Sequence, residues 1–155
     1  MLFLDTSAFV KLYFKETGSE AMLSRVKASR QLFTASVLSF AEVHSAIARK
    51  YREKQISVKE LSRLRSSFDR DWETLINAIE LNRQTLAAVP KLVEQFPLRA
   101  ADAIHLSTAL WLKDNMDAEK YSGEGSVLEF AAADQILGEI ARRYGLQVFN
   151  PEDEN

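Results

Sequence analysis

No cysteine occurs among the 155 residues. Disulfide staples, thiolate zinc sites, iron–sulfur clusters and a cysteine nucleophile are therefore excluded together, and a reducing compartment, the cytoplasm, is the expected location. Histidine is nearly as scarce: His44 and His105 are the only two, too few for a self-sufficient zinc site. No apolar run approaches the ~18 residues of a membrane span, and the opening Met1-Leu2-Phe3-Leu4-Asp5 lacks the basic region and long apolar segment of a signal peptide. Neither sign of charge dominates, with 20 Lys and Arg against 22 Asp and Glu. If several acids gather in one pocket, the remaining surface is neutral to mildly basic and a nucleic acid partner stays open. There is no internal repeat, low-complexity tract or long linker.

What is present is ordinary for a folded protein: 46% apolar and 27% charged residues, in a chain expected to form one domain over residues 1–155. The run LFL suits a buried strand, and the segment after Asp5 reads as two helices broken at Thr17-Gly18-Ser19. Leu32-Phe33-Thr34-Ala35, bounded by Ser36, reads as a second strand. Helical spacing from Val37 to about Lys54 gives a long helix with a charged tail, and Ser57 opens another to about Trp72. Leu75–Ile79 reads as a third strand, Asn82 as the cap of a helix that Pro90 kinks, and Pro97 as the start of a core helix, LRAADAIHLSTALWLKDN. A polar loop around 113–126 precedes a strand at 127–131, a helix from Asp134 to Tyr144 closed by Gly145, and a last strand at 146–149. Short strands alternating with helices predict an α/β fold with a parallel sheet covered on both faces, where polar sites gather outside the carboxyl ends of the strands.

Four carboxylates lie in or beside apolar segments: Asp5 in LFLDTSAF, Glu42 in LSFAEVHSAI, Asp102 in LRAADAIHLS and Asp134 in EFAAADQIL. Burying an ionised carboxylate is expensive unless it is paired or bound to a metal. Singly, each has a plain explanation. Asp5 and Asp134 can cap the helices that follow them, Glu42 can close a capping box with Ser39, and Asp102 can favour a helix N-terminus. Together, an oxygen-only set suits Mg²⁺ or Mn²⁺. His105 reads as a hydrogen-bonded structural residue. Lys11, Lys15, Arg49, Lys50, Arg52 and Arg99 are candidates for gripping substrate around the pocket, with Lys11 and Arg99 foremost among them.

The set LFLDTSAFVKLY, SVLSFAEVHSAI, LRAADAIHLSTAL and an Asp after a late strand resembles the PIN-domain ribonucleases, and most of all the VapC-type toxins of bacterial toxin–antitoxin pairs, over nearly the whole chain. The resemblance implies a PIN-like three-layer α/β/α fold with a short-stranded parallel central sheet. It implies that Asp5, Glu42, Asp102 and Asp134 hold Mg²⁺ or Mn²⁺ and carry catalysis as metal-dependent endoribonuclease residues, with Thr6 and Ser7 supporting them. It also implies an RNA substrate, a small antitoxin partner and a homodimer. Ala132 departs from the pattern, since relatives commonly carry a hydroxyl or amide there. A catalytically silent PIN-like module that binds RNA or protein is the alternative, which intact acids at all four positions oppose. A phosphotransferase of the haloacid dehalogenase type needs a second Asp where Ser7 stands.

Overall fold

The computed structural model describes residues 1–28, 33–116 and 127–153. Five short strands, β1 (Leu2–Leu4), β2 (Phe33–Ser36), β3 (Ile76–Ile79), β4 (Glu129–Ala131) and β5 (Gln147–Phe149), form one sheet in the order β3-β2-β1-β4-β5. Every pairing is parallel; Leu2 lies opposite both Phe33 and Glu129. The chain thus starts in the middle of the sheet, winds outward through β2 and β3, and then returns to add β4 and β5 on the other side. That reversal puts the switch point between β1 and β4, where an open parallel sheet leaves a crevice beyond its carboxyl ends.

Alternation along β1 divides the core. Leu2 and Leu4 face one layer with Phe9, Met22, Val43, Ile47 and Phe68, while Phe3 faces the other with Leu92, Leu106, Phe130, Leu137 and Ile140, as a strand period of two requires. The first layer holds α1 (Thr6–Phe9), a 3-10 turn over Val10–Leu12, α2 (Ser19–Ala28), α3 (Leu38–Arg52) and α4 (Val58–Leu75). The second holds α5 (Val89–Gln95), α6 (Ala100–Asn115) and α7 (Gln135–Arg143). Strands with apolar residues on both faces are what a covered parallel sheet demands. This is the expected three-layer α/β/α arrangement.

Details differ from the expectations. Pro90 lies in the first turn of α5 and starts the helix instead of kinking it, since a proline there sacrifices no helical hydrogen bond. Asn82 caps only a tight turn, its Oδ1 accepting from the N–H groups of Gln84 at 2.8 Å and Thr85 at 3.1 Å. α4 runs on to Leu75 and passes directly into β3. Residues 113–115 of the expected polar loop belong to α6, and those from 117 to 126 lie outside the described residues. Gly18 has φ +80°, and a Cβ there would meet the Pro151 carbonyl oxygen at 2.7 Å, so the break between α1 and α2 is held against the end of the chain by the absence of a side chain. No helix among the described residues is long and apolar enough to cross a membrane.

Candidate active site

The site begins where β1 stops. Asp5 still donates its backbone N–H to the Ala131 carbonyl of β4 at 2.9 Å, and its side chain then caps α1, Oδ2 accepting from the N–H of Ser7 at 2.9 Å and from its hydroxyl at 2.5 Å. Asp5 is 3% exposed. Ser7 Oγ in turn accepts from the N–H of Ala133 at 2.9 Å. One hydroxyl therefore joins the first acid to the connection that leads from β4 to Asp134.

Thr6 reaches other elements. Its hydroxyl donates to Glu42 Oε2 at 2.6 Å, with His105 Nε2 at 3.2 Å and Ser39 Oγ at 3.3 Å. Glu42 does not close the capping box that its spacing from Ser39 allows. α3 starts at Leu38, whose N–H is taken by Ser36 Oγ at 3.1 Å, so Ser39 lies inside the helix and Glu42 is free to reach Thr6 and His105, the latter at 2.6 Å. Asp102 occupies the first turn of α6, and its Oδ2 accepts from the Arg99 N–H at 3.2 Å. Asp134 caps α7, its Oδ1 accepting from the Leu137 N–H at 2.8 Å, and is exposed. The plain reading of Asp5 and Asp134 as caps is thus correct in geometry, and the two still line one cleft.

All four acids line a single cleft of about 600 Å³ at the switch point, with Arg49 and Arg99 on its walls. Their proximity is registered in their ionisation. Burial raises the Asp102 pKa, the charges of Asp5 and Asp134 raise it further, and the bond from the Arg99 N–H only partly opposes them. At Glu42 burial also pushes upward, but the hydrogen bonds from His105 and Thr6 outweigh it and the pKa is lowered. At His105 burial pushes downward, and the bond to Glu42, with the charges of Asp5, Glu42 and Asp102, raises the pKa in spite of it. The cleft is a region of negative potential.

Among the described residues, no three acids or histidines are gathered tightly enough to grip an ion as they stand. The donor set nevertheless fits a hard dication. The side-chain hydrogen bonds of each acid use a single oxygen, Asp5 Oδ2, Glu42 Oε2, Asp102 Oδ2 and Asp134 Oδ1, and leave the second outside them. Four such oxygens from four elements, with repulsion to be relieved, are the surroundings that Mg²⁺ or Mn²⁺ accept.

Of the cations, Arg99 and Arg49 line the cleft; Arg49 is two turns beyond Glu42 on α3. Lys11 does not. It is 4% exposed, and its ammonium donates to the Thr17 carbonyl at 2.7 Å and to Glu152 at 2.6 Å, so it ties the end of the chain to the α1–α2 connection. Lys50 lies over the Phe14 ring, while Lys15 and Arg52 line other depressions. His105, read from sequence as structural, is a cleft residue. The available signal was its position one turn after Asp102, on the same helix face.

Residues 2–116 match the PIN domain family. The chain is 33% identical over 117 residues to ribonuclease VapC45 of Mycobacterium tuberculosis, covering 74% of this chain and 78% of that protein. Its fold is similar to that of FitAcB from Neisseria gonorrhoeae, with a TM-score of 0.66 at 17% identity over 97% of this chain and 98% of the other. It is also similar to a toxin–antitoxin complex from Klebsiella pneumoniae, with a TM-score of 0.58 at 18% identity and coverage of 97% and 98%. Asp5, Glu42 and Asp102 fall within the matched span and Asp134 beyond it. The chain belongs to the PIN-domain family, among its VapC-type members.

Proposed function

We propose that this protein is a metal-dependent endoribonuclease, the toxin of a toxin–antitoxin pair, and that Asp5, Glu42, Asp102 and Asp134 hold one or more Mg²⁺ or Mn²⁺ ions in the cleft. The observation that carries the reading is the convergence of four acids from four separate elements on one cleft, each with an oxygen outside its hydrogen bonds. When bound, the cation supplies Lewis acidity, lowering the pKa of water and neutralising charge on the phosphate. Everything else falls to the chain. Ser7 holds Asp5, and Thr6 and His105 hold Glu42, so these carboxylates keep their orientation without the substrate. Arg49 and Arg99 attract phosphates from the two walls. No side-chain nucleophile is needed: the Thr6 and Ser7 hydroxyls are committed as donors to the acids themselves.

The names of the relatives support the same reading: VapC45 is a ribonuclease, and the Klebsiella protein is part of a toxin–antitoxin complex. A small antitoxin that carries a basic side chain into the acidic cleft would silence it by taking the place of the cation, and a homodimer is the proposed assembly.

The test is purified full-length protein, freed of any antitoxin, incubated with total cellular RNA in Mg²⁺ or in excess chelator. Discrete internal cuts in Mg²⁺ alone are expected, and they would name the target. Equal cutting in both arms overturns the metal reading. A module that binds RNA without cutting it is the second reading, favoured by the acids' failure to form a closed cage as they stand; RNA retained but intact in both arms would establish it.

A further inference from the structure

Three of the four acids are held by a backbone N–H close in sequence: Asp5 by Ser7, Asp102 by Arg99 and Asp134 by Leu137. Glu42 alone is not. It lies within α3, where backbone donors are used by the helix itself, and it carries one more rotatable bond than an aspartate. Its order comes from side chains distant in sequence. Thr6 Oγ1 and His105 Nε2 both approach Glu42 Oε2 at 2.6 Å, and they are 3.2 Å from one another.

We infer that His105 is a positioning residue for Glu42: together with Thr6 it fixes one carboxylate oxygen and so reserves the other for the cation, an inference that rests on the reading of the cleft proposed above. The hydrogen pattern is self-consistent. Thr6 has one hydrogen, which goes to Glu42, and a ring nitrogen 2.6 Å from a carboxylate oxygen must carry a hydrogen of its own. His105 Nδ1 is buried with no partner among the described residues. A histidine kept for packing alone normally satisfies both ring nitrogens, whereas here the ring's polar contacts go to Glu42 and to the threonine that also holds Glu42. Although His105 lines the cleft, it is only 1% exposed, and its role is exerted through the acid. Because Asp102 and His105 share a face of α6, the contact also fixes Glu42 relative to a second acid.

The inference is tested on the full-length protein by titrating Mn²⁺, read by electron paramagnetic resonance, into metal-free wild type, His105→Leu, His105→Gln and Glu42→Gln, with thermal unfolding as a check of fold. His105→Leu is expected to weaken Mn²⁺ binding by roughly 10- to 100-fold. His105→Gln, which places an N–H donor near the position of Nε2, recovers most of it. Wild-type affinity in folded His105→Leu overturns the inference. If Glu42→Gln also binds as wild type does, the site assignment has failed; if Glu42→Gln is weakened, only the positioning role has. Should His105→Leu not fold, His105→Asn, polar but one bond too short to reach Glu42, is compared with His105→Gln, and equal affinities overturn the inference.

Discussion

β1 and β4 are neighbours, run parallel, and each leads to an aspartate, Asp5 directly after β1 and Asp134 three residues after β4, that caps the next helix through a bond of 2.8 to 2.9 Å. Around that shared geometry the two ends differ. Asp5 is 3% exposed and has a serine hydroxyl as well as an N–H on the same oxygen. Asp134 is exposed, has the Leu137 N–H as its one hydrogen-bond partner among the described residues, and follows Ala132 and Ala133, which bring no polar side chain. Capping therefore does not exclude the proposed metal binding at either place. Burial is what separates them: an ionised acid withdrawn from water needs a compensating charge, and an exposed one does not.

Substituting asparagine at both ends tests that contrast, because asparagine caps a helix as well as aspartate does and removes only the charge. Asp5→Asn should leave the thermal midpoint near that of wild type and cut Mg²⁺-dependent RNA cleavage by about 100-fold or more. For Asp134→Asn the loss in the same assay should be nearer tenfold, about 1.4 kcal/mol of activation energy; a larger loss than at Asp5 would reverse the comparison. Ser7→Ala removes the hydroxyl that ties the two ends together. It should cost about 1 kcal/mol of stability, with a smaller effect on cleavage than Asp134→Asn, both measurable on one preparation by denaturant unfolding and initial rates.

Much of the fold and all four acids could be read in the sequence, and the part that could not has a common cause. The strands and helices follow from local periodicity, and the four acids were conspicuous because each sat in apolar sequence. Ser39 and Glu42 carry the spacing of a capping box, yet the partners of Glu42 are Thr6 and His105, 36 and 63 residues away. Lys11 has the look of a surface cation beside the first motif, but its partner Glu152 is 141 residues distant, and nothing local shows that a lysine stem will be buried. Pro90 satisfies a kink and a helix start equally until the neighbouring turn is known. Interactions fixed by topology outrank local signatures wherever the two compete.

The smallest expected effect lies in the pH dependence of the metal-free protein. Asp102 has a raised pKa, so the folded state holds its proton more tightly than the unfolded chain. Its ionised form works against folding, and that penalty is relieved as pH falls through the window between the raised value and the ordinary carboxylate range. Glu42 has the opposite sign: its contribution is present above the ordinary glutamate value and is lost as pH falls through the lowered one. His105, with a raised pKa, contributes below the ordinary histidine value and loses that contribution as pH rises through the raised one. The charge of Asp5 acts on both Asp102 and His105, whereas that of Asp134 acts on Asp102. Thermal midpoints recorded in chelator across pH should therefore show two changes in Asp5→Asn, a weaker acid-side relief and a smaller contribution from His105 near neutrality. Asp134→Asn should show only the first. If Asp134→Asn alters the neutral region as much as Asp5→Asn does, the exposed acid is as strongly coupled to the site as the buried one, and burial is not what distinguishes the two strand ends.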